Sequence, residues 1–251
     1  MGNPKADDTL NEIVEYIDKE IDVNAGQDIS LNGLQVQNSG SIAKIGVAVD
    51  ANLTVFKKAK EQGCNLLIVH HGLFWGGTVL TGNMYRRVKF LIENDIALYG
   101  AHLPLDRHPE IGNNALLFNL LGAKIRGVFA EVGFYGEFAH SIPRDEIVAK
   151  LDKELNTKSN AYLYGKEKIK TLAIVSGRAH RSAEDAIKIG LDLYITGEAI
   201  HGSEDVANDS EMNVICPGHY ATETLGVKAL GELVAKKFGI EFVFLDHPTG
   251  L

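Results

Sequence analysis

The residues best suited to chemistry are histidines and carboxylates at the ends of apolar runs. Asn65 to Trp75 reads Asn-Leu-Leu-Ile-Val-His-His-Gly-Leu-Phe-Trp, a continuous apolar run of strand length that stops at two adjacent histidines and a glycine. Imidazoles there stand where a buried strand emerges into a loop, the edge at which open α/β sheets place their chemistry. Successive strand side chains point to opposite faces, so His70 and His71 suit two ions, or one ion and a bystander, better than one shared ion. A second run ends in Ala-His-Leu-Pro-Leu-Asp, where Pro104 stops central pairing and His102 and Asp106 straddle the strand end. Glu198 and His201 follow a third run, Leu193 to Thr196. In Pro217-Gly218-His219-Tyr220-Ala221-Thr222-Glu223 a tight turn leads into a helix, where residues four apart share a face, so His219 and Glu223 point at one spot.

Nitrogen ligands mixed with carboxylates suit zinc, iron, manganese, cobalt or nickel rather than calcium. Three histidines, an aspartate and a glutamate provide two or three protein ligands to each ion of a pair, with a carboxylate as the natural bridge. In two-metal sites the ions lie roughly 3.5 to 4 Å apart, and a bound water falls to a pKa of about 7, giving hydroxide at neutral pH. That is a hydrolytic reagent.

The elements that must position these groups alternate between strand and helix. Asp8 or Thr9 caps a helix with apolar positions Leu10, Ile13, Val14, Ile17 and Ile21, and Ser30 to Gln37 reads as a loop leading into a short apolar segment. Strands are predicted at Lys44 to Val49, Leu66 to His71 and Ala97 to His102, and helices at Asn52 to Gln62, Tyr85 to Glu93 and Asn113 to Leu121. Gly127 to Ser141 reads as a hairpin or irregular crossing, after which Ser141 caps a helix from Arg144 to Leu155. A second half follows: strands at Thr171 to Ser176, Leu193 to Thr196, Asn213 to Cys216 and Glu241 to Leu245, with helices at Ser182 to Ile189 and His219 to Phe238. Ala59, Gly63, Leu66 and Ile68 recur 127 residues later as Ala186, Gly190, Leu193 and Ile195, so both halves use the same helix, glycine stop and buried strand. The alternation argues an α/β fold of two similar lobes with mainly parallel sheets, divided as 1–126 and 127–251.

The 251 residues suffice for a substantial core. A net charge of -8, with Lys and Arg scattered, offers no basic stripe to a phosphate backbone, so nucleic acid is not an expected partner. No apolar run reaches membrane-spanning length, and the first residues lack a signal region and a myristoylation motif, which points to a cytoplasmic protein with no membrane partner. Cys64 and Cys216 lie in or beside apolar runs without CxxC spacing and read as core thiols.

His-His-Gly-Leu-Phe-Trp, Ala-His-Leu-Pro-Leu-Asp, Ile-Thr-Gly-Glu-Ala-Ile-His and Gly-His-Tyr-Ala-Thr-Glu, preceded by Asn-Gly-Leu-Gln-Val, resemble in order the Nif-three-like dinuclear metal-centre family, whose members are often labelled GTP cyclohydrolase 1 type 2 homologues. The five motifs run from Asn32 to Glu223. The resemblance implies that His70, Asp106 and Glu223 bind one divalent ion and His71, His219 and Glu223 the other, in a cleft flanked by two α/β lobes. It also implies a homohexamer, in the short form that lacks an inserted domain. Zinc, iron, manganese and nickel are all acceptable ions.

Around that set, Glu198, His201 and His102 are the candidates to move protons, and Asn32, Gly33, Gln35 and Tyr220 the candidates to contact substrate. Phe74 and Trp75 are placed to stack a base or to fill a wall. Ser176-Gly177-Arg178 follows a strand but falls short of a phosphate loop. His108, His140, His180 and His247 lack motif context and read as surface or capping residues. The expected function is metal-dependent hydrolysis of a small molecule by metal-bound hydroxide. If the family label holds, the substrate is the nucleotide GTP, opened at C8 of guanine with release of formate. The alternative is a non-enzymatic metal-binding scaffold or regulator acting through protein partners.

Overall fold

The computed structural model describes residues 9–251, so the Asp8 cap and the amino-terminal motif readings lie outside the described residues. In chain order the first elements are α1 (Thr9–Glu20), β1 (Gly33–Val36), β2 (Lys44–Asp50), α2 (Leu53–Glu61), β3 (Leu66–His71), α3 (Gly82–Glu93), β4 (Ala97–Gly100) and α4 (Leu103–Arg107). Next come α5 (Asn113–Leu121), β5 (Lys124–Phe129), β6 (Gly133–Pro143), α6 (Arg144–Leu155), β7 (Asn160–Leu163) and β8 (Lys168–Val175). After a 3-10 turn at His180–Ser182 follow α7 (Ala183–Lys188), β9 (Leu193–Thr196), α8 (Ser203–Asp209), β10 (Asn213–Cys216), α9 (His219–Phe238) and β11 (Glu241–Phe244).

The chain forms two compact units. The first holds the residues up to Leu105 together with Gly226–His247, and the second Asp106–Leu225 with Pro248–Leu251. The chain thus changes unit three times, at Leu105/Asp106, at Leu225/Gly226 and at His247/Pro248. Pairing explains the return, because β11 lies parallel to β2 in the first sheet, with Glu241 opposite Lys44 and Phe244 opposite Val47.

In the first unit the strand order is β1-β4-β3-β2-β11. The four strands β4, β3, β2 and β11 are parallel, and β1 closes the edge antiparallel to β4. The central strands are buried along nearly their whole length, as expected when both faces are covered. The Asn52 side chain accepts from the Val55 amide and caps α2, whose Val55, Phe56 and Ala59 join Leu67, Val69 and Leu98 in one apolar cluster. Residues 33–36, read from sequence as part of a loop, are an edge strand. Helix α3 starts three residues before Tyr85, and β4 stops before His102.

In the second unit the order is β5-β6-β8-β9-β10-β7, with parallel β8, β9 and β10 at the centre and antiparallel strands on either side. The glycine-punctuated crossing is a hairpin, β5 and β6. Ser141 lies inside β6, and the residue before α6 is Pro143, which makes no side-chain cap bond. The serine therefore does not cap α6, because the strand runs straight into the helix. Helix α8 and strand β7 have no counterpart in the sequence reading.

The internal echo is structural. Ala59 and Ala186, Leu66 and Leu193, and Ile68 and Ile195 are all completely buried. Gly63 and Gly190 both have φ +72, a left-handed conformation that favours glycine after a helix. The following amides close the same turn, Cys64 onto the Ala59 carbonyl and Leu191 onto that of Ala186. Cys64 and Cys216 are buried free thiols, and burial pushes them up to about 11 and about 12, as core residues. No helix among the described residues is long and apolar enough to cross a membrane.

Candidate metal centre

The parallel register of the first sheet sets the carboxyl ends of β2, β3 and β4 side by side, with Asp50 opposite His71 and Val69 opposite Gly100. Each histidine at this edge has its Nδ1 taken. His70, completely buried, donates from Nδ1 to the Ala101 carbonyl at 2.8 Å. His71 donates from Nδ1 to the Asp50 carboxylate at 2.9 Å, and His102 from Nδ1 to Asp28 at 2.9 Å. A carbonyl or carboxylate only accepts, so each bond fixes the tautomer and leaves Nε2 as the nitrogen able to take an ion. Ligand nitrogens of His70, His71 and His102 lie within 4.8 Å of one another.

Asp28 and Asp50 were missed in the sequence. Asp50 could have been found, since it ends an apolar strand as His71 does. Asp28 accepts from His102, the Ser30 and Leu103 amides and the Asn32 side chain. Burial raises its pKa, but the bonds from His102, Asn32 and Ser30 outweigh that and hold the carboxyl far below the usual carboxylate range. The candidate substrate contacts near it also make contacts within the protein. Asn32 accepts from the His102 amide at 2.7 Å. Gln35 accepts from the Leu73 amide, and its amide group fills the space beside Gly72 and Gly100. Gly33 takes φ +97 at the start of β1. Trp75 donates to the Gly72 carbonyl and sets its ring edge-on to His102, with centroids 4.9 Å apart, while Phe74 packs on the core.

In the second unit the carboxyl ends of β8, β9 and β10 are likewise aligned, Val175 opposite Thr196 and Ile215 opposite Ile195. They deliver Ser176-Gly177, Gly197-Glu198 and Gly218-His219. At the start of α9, His219 Nε2 lies 3.1 Å from Glu223 Oε2, and its Nδ1 donates to Glu198. Glu198 is thus a carboxylate that orients His219. Burial alone would depress His219, but Glu223 and Glu198 together raise it to about 9.

Asp106 is buried with one carboxylate oxygen accepting from Asn113 Nδ2 and the Ser176 hydroxyl, both at 2.9 Å. Asn114, invisible as a site residue in the sequence, accepts from the Ser176 amide at 2.7 Å and fixes that turn. The Ser176-Gly177-Arg178 turn is therefore a packing surface for the carboxylates. Gly177 has φ +64, and a Cβ there would lie 2.2 Å from Glu223 Oε1 and 3.3 Å from His219 Nε2. Tyr220 is buried, and its amide donates to the Leu251 carbonyl. His201 is exposed beyond β9. His108 accepts at Nδ1 from the Glu110 and Ile111 amides, a capping role, and His140 is exposed.

His70, His71 and His102 of the first unit form a group that could hold a divalent ion, and the second unit brings together the donors His219 and Glu223. Histidines whose Nδ1–H is committed, and buried carboxylates whose position is fixed by amide and hydroxyl donors, are how proteins prepare nitrogen and oxygen ligands. The bare glycine against Glu223 and His219 keeps the backbone close without covering either ligand atom.

Fold and site together define an α/β protein with two sheets whose strand ends carry histidine and carboxylate groups able to hold a divalent metal. A sequence profile of Duf34/NIF3 (NGG1p interacting factor 3) matches residues 8–250, and the chain belongs to that family. A protein from Archaeoglobus fulgidus named GTP cyclohydrolase 1 type 2 homolog is 40% identical over 248 residues, covering 96% of this chain and 99% of its own. A relative of the same name from Pyrococcus horikoshii is 42% identical over 248 residues, with 96% and 99% covered. Among solved structures, the structural-genomics protein ybgI, of unknown function, superposes with a TM-score of 0.91 at 33% identity, covering 96% of this chain and 99% of that one. TTHA1606 from Thermus thermophilus gives a TM-score of 0.86 at 37% identity, with 97% and 100% covered.

Proposed function

We propose that the chain binds two divalent transition-metal ions through His70, His71, Asp106, His219 and Glu223 and acts as a metal-dependent hydrolase on a small molecule. The observation that carries this reading is the shared arrangement of His70, His71 and His219, each donating from Nδ1 and each presenting Nε2 as the ligand nitrogen. When bound, such ions polarise a substrate oxygen and bring the pKa of water to about 7. The chain's own residues do the rest. Asp50 and Glu198 hold the histidine rings, Asn113 and Ser176 hold Asp106, and His102, fixed by Asp28, is the imidazole placed to move a proton at Nε2.

The relatives' name makes GTP the first nucleotide to assay, and the family resemblance makes a hexamer the assembly to look for by light scattering. The decisive measurement is metal content per chain, by mass spectrometry on untagged protein purified without chelator. A value approaching two supports the reading, and Glu223→Ala should lower it below one with the circular dichroism unchanged. Metal that stays near zero after incubation with Mn, Fe, Zn and Ni overturns it. Two bound ions with silence across nucleotide, phosphoester and amide panels would favour a metal-binding scaffold.

A further inference from the structure

The second unit holds a half-open cavity of about 310 Å³, lined from the 3-10 turn and α7, from the end of β9, and from α8 and β10. Ile200, Val206, Val214 and Cys216 form its apolar surface, and Cys216 is a buried thiol whose proton is held by that burial. Its polar groups are of a different kind. His180 has an Nδ1 that is buried with no hydrogen-bond partner among the described residues. Arg181 and His201 have no charged or hydrogen-bonding side-chain partner among the described residues. Of the two carboxylates lining the cavity, Glu198 accepts from His219 and Glu184 is exposed to solvent, which screens it.

Three uncommitted nitrogen groups beside an apolar surface form an unusual spot on a chain of net charge -8. Ligand cavities run from about 300 to 1,000 Å³, so the volume suits a single ring or a short chain. Apolar contact secures the body of such a molecule, and a guanidinium is the group best shaped to hold an oxyanion.

We propose that this cavity binds a small organic oxyanion, its carboxylate or phosphate group at Arg181, His180 and His201 and its apolar body on Ile200, Val206 and Val214. The site is complete within its own unit. That it seats the unreacted part of a substrate rests on the paired-metal reading, because Glu198 both lines the cavity and orients His219.

The test uses phenylphosphonate and benzoate, with benzyl alcohol and inorganic phosphate as controls, on the intact chain by ligand-observed NMR and calorimetry. One of the two aromatic anions should bind at least tenfold more tightly than both controls, and the preferred one distinguishes a phosphate from a carboxylate source. Arg181→Gln and, as a second variant, His201→Gln should each weaken it at least tenfold, and Val206→Phe, which fills the cavity, should abolish it. Equal binding by wild type and both polar variants, or no preference over the controls, overturns the proposal. Repeating the titration on Glu223→Ala, with its metal content measured, separates the two readings. Binding that persists without metal keeps the cavity site, whatever becomes of the hydrolase. Binding that disappears with the metal assigns the anion to the ions and overturns the cavity site alone.

Discussion

At the scale of single residues, the chemistry was legible where a side chain ends an apolar run and illegible where it arrives from a loop. His70, His71, Asp106, His219 and Glu223 announce themselves by adjacency, by proline and by helical spacing. The groups around them do not, because Asn113 beside Asp106, Asn114 beside Ser176 and Asp28 beside His102 are reached only by tertiary packing. Those orienting groups make the sharper predictions. Asp50→Ala and Glu198→Ala leave the proposed ligands in place but remove an acceptor for Nδ1–H, so each should weaken divalent-ion binding by about 10 to 100-fold in a chelator competition. A variant series in which both bind as tightly as wild type would show the rings to be held by packing alone. Asp28 predicts a pH effect. Its folded pKa is depressed, so its contribution to stability is complete above the unfolded value of about 3.9 and is lost as pH falls below that toward the folded value. Asp28→Asn should cost about 1 to 3 kcal/mol at pH 7 and flatten the acid limb of a urea-melt series. An unchanged acid limb would assign it to other carboxylates.

At the scale of elements, the repeated helix, glycine and strand was readable because each part has its own sequence mark. Strand β7 and helix α8 were not, for a physical reason. The first is a four-residue edge strand with no fully buried position, and the second buries only Ala207 among its seven residues, so neither carries a stripe to detect. The loop reading of residues 33–36 failed likewise, on a strand too short to show a period. The glycines give a graded test. Gly63 and Gly190 have open space where a Cβ would go, so alanine at either position should cost only the left-handed strain, roughly 1 to 2 kcal/mol in thermal or urea melts. Gly177→Ala meets Glu223 as well. It should lose metal content while Gly63→Ala and Gly190→Ala retain it, and equal metal retention by all three would show that Glu223 moves aside without consequence.

At the scale of the whole molecule, composition and alternation identified an α/β protein, and the five ordered motifs identified the family. The placement of the last strand was not legible, because nothing in Glu-Phe-Val-Phe says which sheet it will join. Helix α9 also gives no hint that its later residues serve the first unit, where Gly231 lies against Val47 and Phe242. Removing residues 240–251 should therefore damage the first unit and not merely trim a tail, with β2 left as an open edge and the product found in the insoluble fraction.

The pairing of β11 with β2 also orders events in time. A ribosome delivers β2, β3 and β4 early, then the whole of Asp106–Leu225, and only afterwards the strand that covers β2. Glu241 emerges about two hundred residues after its partner Lys44, an interval of roughly 10 to 40 seconds at ordinary rates of synthesis. Throughout that interval the nascent chain carries an apolar strand edge without its neighbour. That edge stays open to pairing with another chain until the last strand to be made closes it.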